Sequence, residues 1–290
     1  MRTRTIWTTV GVAVVVVAGA VAVPFVVGST AASSADAPSS PTASSSDAAA
    51  PAVPHVDDTT LAALPEAEYS AVISGLMPFD RTVTTDTVFR LRADAPLFGA
   101  ARTTPVARFA ASDFLRQPTT VVGVERDGDW ELVLTPARQQ LPSAAGGSAA
   151  AQTAAWVPLT SLREVSTPTS RVVISTKDQS VSIVDTAGHV THRFDAGVGT
   201  ADTPTPTGVT GYLEQRYVDP SQGTGNHPIQ LTSLHSSAAD EPYGGHDGGL
   251  IGLHWNATTS GAVSHGCVRL DAEAVAAVDA LPLGTLVTVE

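Results

Sequence analysis

The chain has one cysteine, Cys267, and one lysine, Lys177, in 290 residues. A single thiol cannot form an internal disulfide, so nothing of that kind braces the fold. Aromatic residues make up 5% of the chain and charged residues 15%, with 16 Lys+Arg against 28 Asp+Glu and a formal net charge of −12. Nucleic-acid binding rests on cationic groups displacing counterions from phosphates, and this charge balance argues against such a partner. The HExxH and paired CxxC spacings of common zinc sites are absent too. Hydrophobic residues reach 43%, enough to bury a core, and the length gives a prior of two folded units.

Long apolar runs are confined to the beginning. Arg2 and Arg4 precede a stretch from Val10 to Val27 broken only by Gly11, Gly19 and Pro24, and the small residues Ala31, Ala32, Ser33 and Ser34 follow. As a helix at 1.5 Å per residue the run spans about 27 Å, so residues 1–30 read as a signal peptide or a membrane anchor. The rest is then expected outside the cytoplasm, either membrane-anchored or secreted into the cell wall. Residues 31–58 are rich in Ala, Ser and Pro. Such a segment has too little apolar surface to offset chain entropy and reads as a disordered linker.

The remainder reads as mainly β. Over 59–168, short runs with a period near two occur at 85–91, 106–109, 119–125, 130–134 and 155–159. Arg126-Asp127-Gly128-Asp129 forms a hairpin signal before Trp130. A small β-barrel is expected, with 146–151 as a flexible loop. The pattern Val121–Gly123, Gly128–Val133 and Ala155–Pro158 resembles bacterial SH3-like domains of exported wall proteins, which implies wall-polymer contact or a spacer role. From 169 to 290 alternation is cleaner: runs at 171–176, 180–185 and 190–197 predict an antiparallel meander, followed by a rigid Thr203–Gly208 turn and a strand from Val209. Residues 214–249 are rich in Gly, Ser, Pro and His and read as a long lid or rim, with His227, His235 and His246 on it or facing solvent. A short helix follows Leu270, with Asp271 as N-cap and Val275 and Val278 inward. Leu286–Val289 closes the chain as a strand whose removal should harm folding.

The chemistry concentrates in Ser264-His265-Gly266-Cys267-Val268-Arg269-Leu270, thirteen residues after His254 at the end of the apolar run from Leu250. A free thiol with a pKa near 8.5 is only a few per cent ionised at neutral pH. A neighbouring imidazole is therefore expected to activate it, and the residues alone leave His254 and His265 both open as the base. Gly266 permits a tight bend in which the backbone N–H groups of Gly266 and Cys267 could face a developing oxyanion.

With His254, the Thr205–Gly208 turn and the opening meander, this segment resembles the L,D-transpeptidase catalytic domain, the YkuD-like family. The resemblance implies a β-sandwich-like catalytic fold over 169–290. It implies Cys267 as nucleophile, attacking a peptidoglycan tetrapeptide stem, releasing D-alanine and transferring the acyl group from a thioester to an amine. It further implies His254 as acid/base, and His265, Gly266, Ser264 and Arg269 as supporting or oxyanion residues. Tyr243, His246 and Trp255 are candidates for the substrate rim. Two features depart from the usual pattern: Trp255 follows His254 where a small residue is common, and the thirteen-residue spacing is short. If His254 were out of reach, His265 would take the proton. No cofactor or metal is expected, and the partners are stem peptides and, through the N-terminal segment, the membrane. The alternatives are an L,D-carboxypeptidase using water, a non-catalytic wall-binding protein, and a zinc site built from His246, His254, His265 and Cys267.

Overall fold

The computed structural model describes residues 51–238 and 249–290. The expected leader, most of the expected linker, Tyr243 and His246 lie outside the described residues, none of whose helices is long and apolar enough to cross a membrane. The protein is mainly β, and its described residues form two eight-stranded sheets and one two-stranded sheet.

The last residues of the expected linker are held rather than loose. Trp130 Nε1 donates to Pro51 O at 2.6 Å, and Val56 packs beside Trp130. A short helix that the period-two reading missed, α1 (Asp58–Ala63), starts at Asp57, whose carboxylate accepts from Thr60 N at 2.8 Å.

The first sheet comprises β1 (Met77–Pro78), β2 (Thr87–Leu91), β3 (Ala95–Phe98), β4 (Pro105–Phe109), β5 (Thr120–Asp127), β6 (Trp130–Thr135), β7 (Thr153–Pro158) and β8 (Leu162–Ser166). Its order is β4-β3-β7-β6-β5-β2-β8, with β1 paired to β7. Asp127 pairs with Trp130 across Gly128-Asp129, with Gly128 at φ +57°, so the hairpin signal marks a real two-residue turn. One face encloses Phe89, Leu97, Phe109, Val121, Val133 and Val157. The other face carries Phe98, Val122, Trp130, Leu134 and Trp156 against Tyr212 and Leu286 of the second sheet. β6 and β7 are therefore buried on both faces, which explains why their sequences are apolar almost throughout.

The second sheet comprises β9 (Ser170–Ser175), β10 (Ser180–Asp185), β11 (Val190–Asp195), β13 (Val209–Tyr217), β14 (Ile229–His235), β15 (Leu250–Trp255), β17 (Val268–Leu270) and β18 (Leu286–Val289). β12 (Val198–Gly199) and β16 (Ala262–Ser264) form the small sheet. The large sheet runs β11-β10-β9-β18-β13-β14-β15-β17 and curls over one core. Val172, Ile174 and Val181 from one end share a cluster with Ile251, Leu253, Val268 and Leu270 from the other. Helix α2 (Ala272–Asp279) starts at Asp271, which accepts from Ala274 N at 2.8 Å, and buries Val275 and Val278. β18 is internal, parallel to β9 and antiparallel to β13, so removing the C-terminus would split the sheet.

Two loop expectations are overturned. The stretch 214–249 contains β14, a central strand, where a lid was expected. β14 escaped notice because several of its inward groups are polar. Thr232 Oγ1 donates to Ile251 O at 2.6 Å, Ser233 Oγ to Gln152 Oε1 at 2.7 Å and Gln230 Nε2 to Asp279 Oδ1 at 2.9 Å. Satisfied in this way, buried polar groups cost little and leave no apolar period to read. The segment 146–151 is tied to the end of β14: Ala149 N donates to Ser237 O at 2.9 Å, and Ala151 is buried in the second core. Gly284, at φ +93°, lets the chain pass against the first sheet. A Cβ there would come within 2.7 Å of a Val88 methyl.

Candidate active site

Along β15 and β17 the side chains divide cleanly. Ile251, Leu253, Val268 and Leu270 are 0–1% exposed on the core side. Gly252 and His254, with Cys267 just before β17, alternate to the other face. β15 and β17 run parallel, with Leu253 beside Val268 and His254 beside Arg269. The thirteen-residue excursion between His254 and Cys267 therefore returns the thiol to the strand that carries the imidazole. Both line one cleft of about 710 Å³.

The Cys267 loop is fixed mainly through its backbone. Gly266 sits at φ +103°, and an added Cβ would lie 3.0 Å from Ile251 Cδ1, so only glycine fits without strain. Thr205 Oγ1 accepts from Gly199 N at 2.9 Å and donates to Gly266 O at 2.8 Å. Thr203 Oγ1 donates to Ser264 O at 3.2 Å, and Ser264 Oγ donates to Cys267 O at 2.5 Å. The rigid turn anticipated at 203–208 thus clamps the loop, and buried Ser264 closes it. Arg269 exchanges backbone hydrogen bonds with Gly197, at 2.8 Å and 3.0 Å.

Cys267 Sγ accepts from Gly252 N–H at 3.4 Å and lies 3.8 Å from Leu250 O, its two hydrogen-bond partners among the described residues. Neither partner is an imidazole. Burial pushes the thiol above its ordinary pKa, against smaller lowering by the Gly252 N–H and the Arg269 charge. His254 is also half-buried. Desolvation lowers its pKa and the Arg269 charge lowers it further, while its bond to the Trp255 carbonyl opposes both. That bond, Nδ1 to Trp255 O at 3.0 Å, requires a proton on Nδ1 and leaves the Nε2 lone pair available. Burial thus works against the charged form of both the thiol and the imidazole.

The remaining candidates are dispersed. His265 is exposed and does not line the cleft. Trp255 stacks on His227, with ring centroids 5.5 Å apart, and packs against the core, bracing β15 instead of rimming the cleft. His235, expected on a solvent-facing loop, is 2% exposed on β14. Among the described residues no group of three or more His, Cys, Asp and Glu is placed to hold a metal ion.

The opposite wall was not anticipated. Tyr69, Ser70, Val72, Phe114, Leu115 and Arg138, all from the N-terminal side of β7, line the same cleft as Cys267. Tyr69 and Phe114 meet edge to face at 4.9 Å. Tyr69, Val72 and Leu115 are 40%, 48% and 37% exposed. No periodic signal marks these residues; tertiary packing brings them there.

The thiol and the imidazole of this cleft both fall within a stretch similar to a known family: residues 169–289 match the family model of YkuD, the L,D-transpeptidase catalytic domain. No curated protein matches the chain. Among solved structures it is similar to an L,D-transpeptidase from Stackebrandtia nassauensis, at 18% identity and a TM-score of 0.30, covering 42% of this chain and 55% of that one. An L,D-transpeptidase from Mycobacterium smegmatis gives 16% identity and a TM-score of 0.32, covering 59% and 90%. Mycobacterium tuberculosis L,D-transpeptidase 1 gives 16% and 0.29, covering 47% and 77%. The chain thus spans about half the length of the Stackebrandtia protein.

Proposed function

We propose that this protein is an extracytoplasmic peptidoglycan L,D-transpeptidase in which Cys267 is the nucleophile and His254 the acid/base. The observation that carries the reading is the placement of the Cys267 thiol and the His254 ring on neighbouring strands, lining one cleft, with Nδ1 of His254 pinned to the Trp255 carbonyl.

The donor is a tetrapeptide stem. As the sulfur attacks the carbonyl before the terminal D-alanine, its proton passes to His254 Nε2 and a C–S bond forms. The backbone N–H groups of Gly266 and Cys267 are the donors for the oxyanion. Collapse breaks the C–N bond, and the proton on His254 goes to the departing D-alanine amine, leaving a thioester on Cys267. An amine of a second stem then attacks the thioester. Its surplus proton returns through His254 to the released sulfur, and the new amide cross-links the wall. Burial disfavours a separated thiolate and imidazolium, which favours proton removal in concert with attack. The N-terminal apolar segment supplies export or membrane attachment, and the first sheet, as an SH3-like unit, presents the catalytic part to the polymer.

Incubation of the full chain with tetrapeptide stems tests this. Release of D-alanine with formation of a stem dimer is expected, and Cys267→Ala should give neither. A dimer formed equally by Cys267→Ala would overturn the proposal, and D-alanine release with hydrolysed stem alone would make the protein a carboxypeptidase.

A further inference from the structure

Deep in the cleft lies a polar atom that the chemistry above does not use. His235 ends β14 at 2% exposure and lines the cleft. Its Nε2 is 2.6 Å from Pro136 O, so Nε2 carries the proton and donates, and Nδ1 holds a bare lone pair. That Nδ1 is buried with no hydrogen-bond partner among the described residues. An unsatisfied buried acceptor is costly, and on a residue that lines the cleft it is a place where a ligand N–H would restore the balance.

Its position relates it to the sulfur. His235 pairs directly with Leu250 across the β14–β15 ladder, and directly opposed residues project to the same side of the sheet. The Leu250 carbonyl is in turn a partner of Cys267 Sγ. Ile229, Leu231, Leu250, Gly252 and His254 line the cleft along the same two strands. His235 therefore stands one strand away from the residue whose carbonyl touches the nucleophile. Burial and the nearby Arg138 charge hold its pKa down to about 3, with the Pro136 carbonyl opposing. Such a ring stays neutral at working pH and is too weak a base to take a proton in the reaction. It can only accept a hydrogen bond.

We propose that His235 Nδ1 accepts a hydrogen bond from a backbone N–H of the acyl-donor peptide and so positions the donor over Cys267. The proposal rests on the transpeptidase reading for the identity of the donor. It also gives the first sheet's side of the molecule a part in recognition, because Pro136 fixes which ring nitrogen is free. A carboxylate or an ether oxygen could not serve as the ligand atom, since both are acceptors. The site selects for a donor peptide with an N–H at that point.

Two readouts test it. In the full-length Cys267→Ser protein, labelled with nitrogen-15 in the histidine rings, saturation with tetrapeptide stem should move the His235 Nδ1 resonance in the direction of an accepted hydrogen bond. In the active protein, His235→Gln keeps an amide N–H for Pro136 but removes the acceptor at the Nδ1 position. It should raise the donor KM about three- to tenfold with little change in kcat, the size of one neutral hydrogen bond. His235→Asn places an amide oxygen near Nδ1 but loses the Pro136 link, and should hold the donor KM closer to that of the parent. An unmoved Nδ1 resonance at saturation, or an unchanged KM in His235→Gln with loss confined to His235→Asn, would make His235 a purely structural residue and overturn the proposal. Failure of the transpeptidase reading shows itself separately, as absence of any acyl adduct on Cys267 in the parent. The resonance titration still decides whether a stem N–H reaches His235 in that case.

Discussion

The two walls of the cleft are built in opposite ways. One carries the proposed catalytic pair and comes from a short run of chain, His254 to Arg269, folded back on itself through the parallel pairing of β15 and β17. The other, with Tyr69, Val72, Phe114 and Leu115, comes from the N-terminal side of the molecule and reaches the cleft only through packing of the two large sheets. The chemical wall is held by hydrogen bonds to backbone atoms: the Thr205 hydroxyl on Gly266, the Ser264 hydroxyl on Cys267 and the His254 ring on Trp255. The facing wall is mainly apolar, with Ser70 and Arg138 beside Tyr69, Val72, Phe114 and Leu115, and is partly exposed. A wall that must place a sulfur and a ring nitrogen within a few tenths of an ångström calls for directional bonds. A wall that only has to hold a peptide can rely on non-directional contact.

If that contrast is right, substitutions on the chemical wall should act on turnover, and those on the facing wall on binding. The largest effect is expected for His254→Ala, which removes the proposed base. Acyl transfer should fall about 10²- to 10⁴-fold, while the rate of Cys267 alkylation by a small neutral reagent at neutral pH changes little, because burial disfavours a preformed thiolate. A steep drop in alkylation would show that His254 holds a preformed thiolate in spite of that burial.

The junction between the sheets gives the next effect. Glu214 on β13 has an Oε2 with no partner. Burial, with the nearby Asp113 and Glu68 charges, pushes its pKa from 4.5 to about 8. A carboxyl that binds its proton more tightly folded than unfolded favours folding while protonated. Its contribution is therefore fullest below about pH 4.5 and is lost as pH rises toward 8. Glu214→Gln should flatten this slope and stabilise the protein at pH 8 by about 1–3 kcal/mol, with little change near pH 4, as read by thermal unfolding at both values. A variant less stable at pH 8 would mean that the charged form is the one accommodated.

Thr205→Val should follow, costing about 1 kcal/mol for the lost bridge between Gly199 and Gly266 and lowering kcat more than it raises the donor KM. Equal stability with unchanged kcat would show that the loop holds its shape without the clamp. The smallest effect is expected on the facing wall: Tyr69→Ala should raise the donor KM a fewfold and leave kcat intact, in keeping with one partly exposed aromatic contact of about 0.5–1.5 kcal/mol. A fall in kcat alone would erase the division of labour between the walls.

The same contrast explains how much could be read in the sequence. The meander, the Asp127–Trp130 hairpin, the Asp271 cap and the grouping of His254, Gly266 and Cys267 are local features, written in alternation, turn residues and close spacing. β14 was hidden because Thr232, Ser233 and His235 are buried with polar partners, which erases the apolar period that marks a strand. Tyr69 and Phe114 look like ordinary core residues from the sequence, and nothing local places them opposite a cysteine about 150 to 200 residues further along the chain. Spacing shows that an imidazole is near a thiol, but only the fold shows how far both are withdrawn from water.

Intact-mass spectrometry of the acid-quenched protein after brief mixing with a tetrapeptide stem bears most directly on the paired roles of Cys267 and His254. The account predicts an adduct equal to the stem less D-alanine, mapping to the peptide that contains Cys267, abolished in Cys267→Ala and formed far more slowly in His254→Ala. No adduct in the parent, or one of equal rate in His254→Ala, would contradict it.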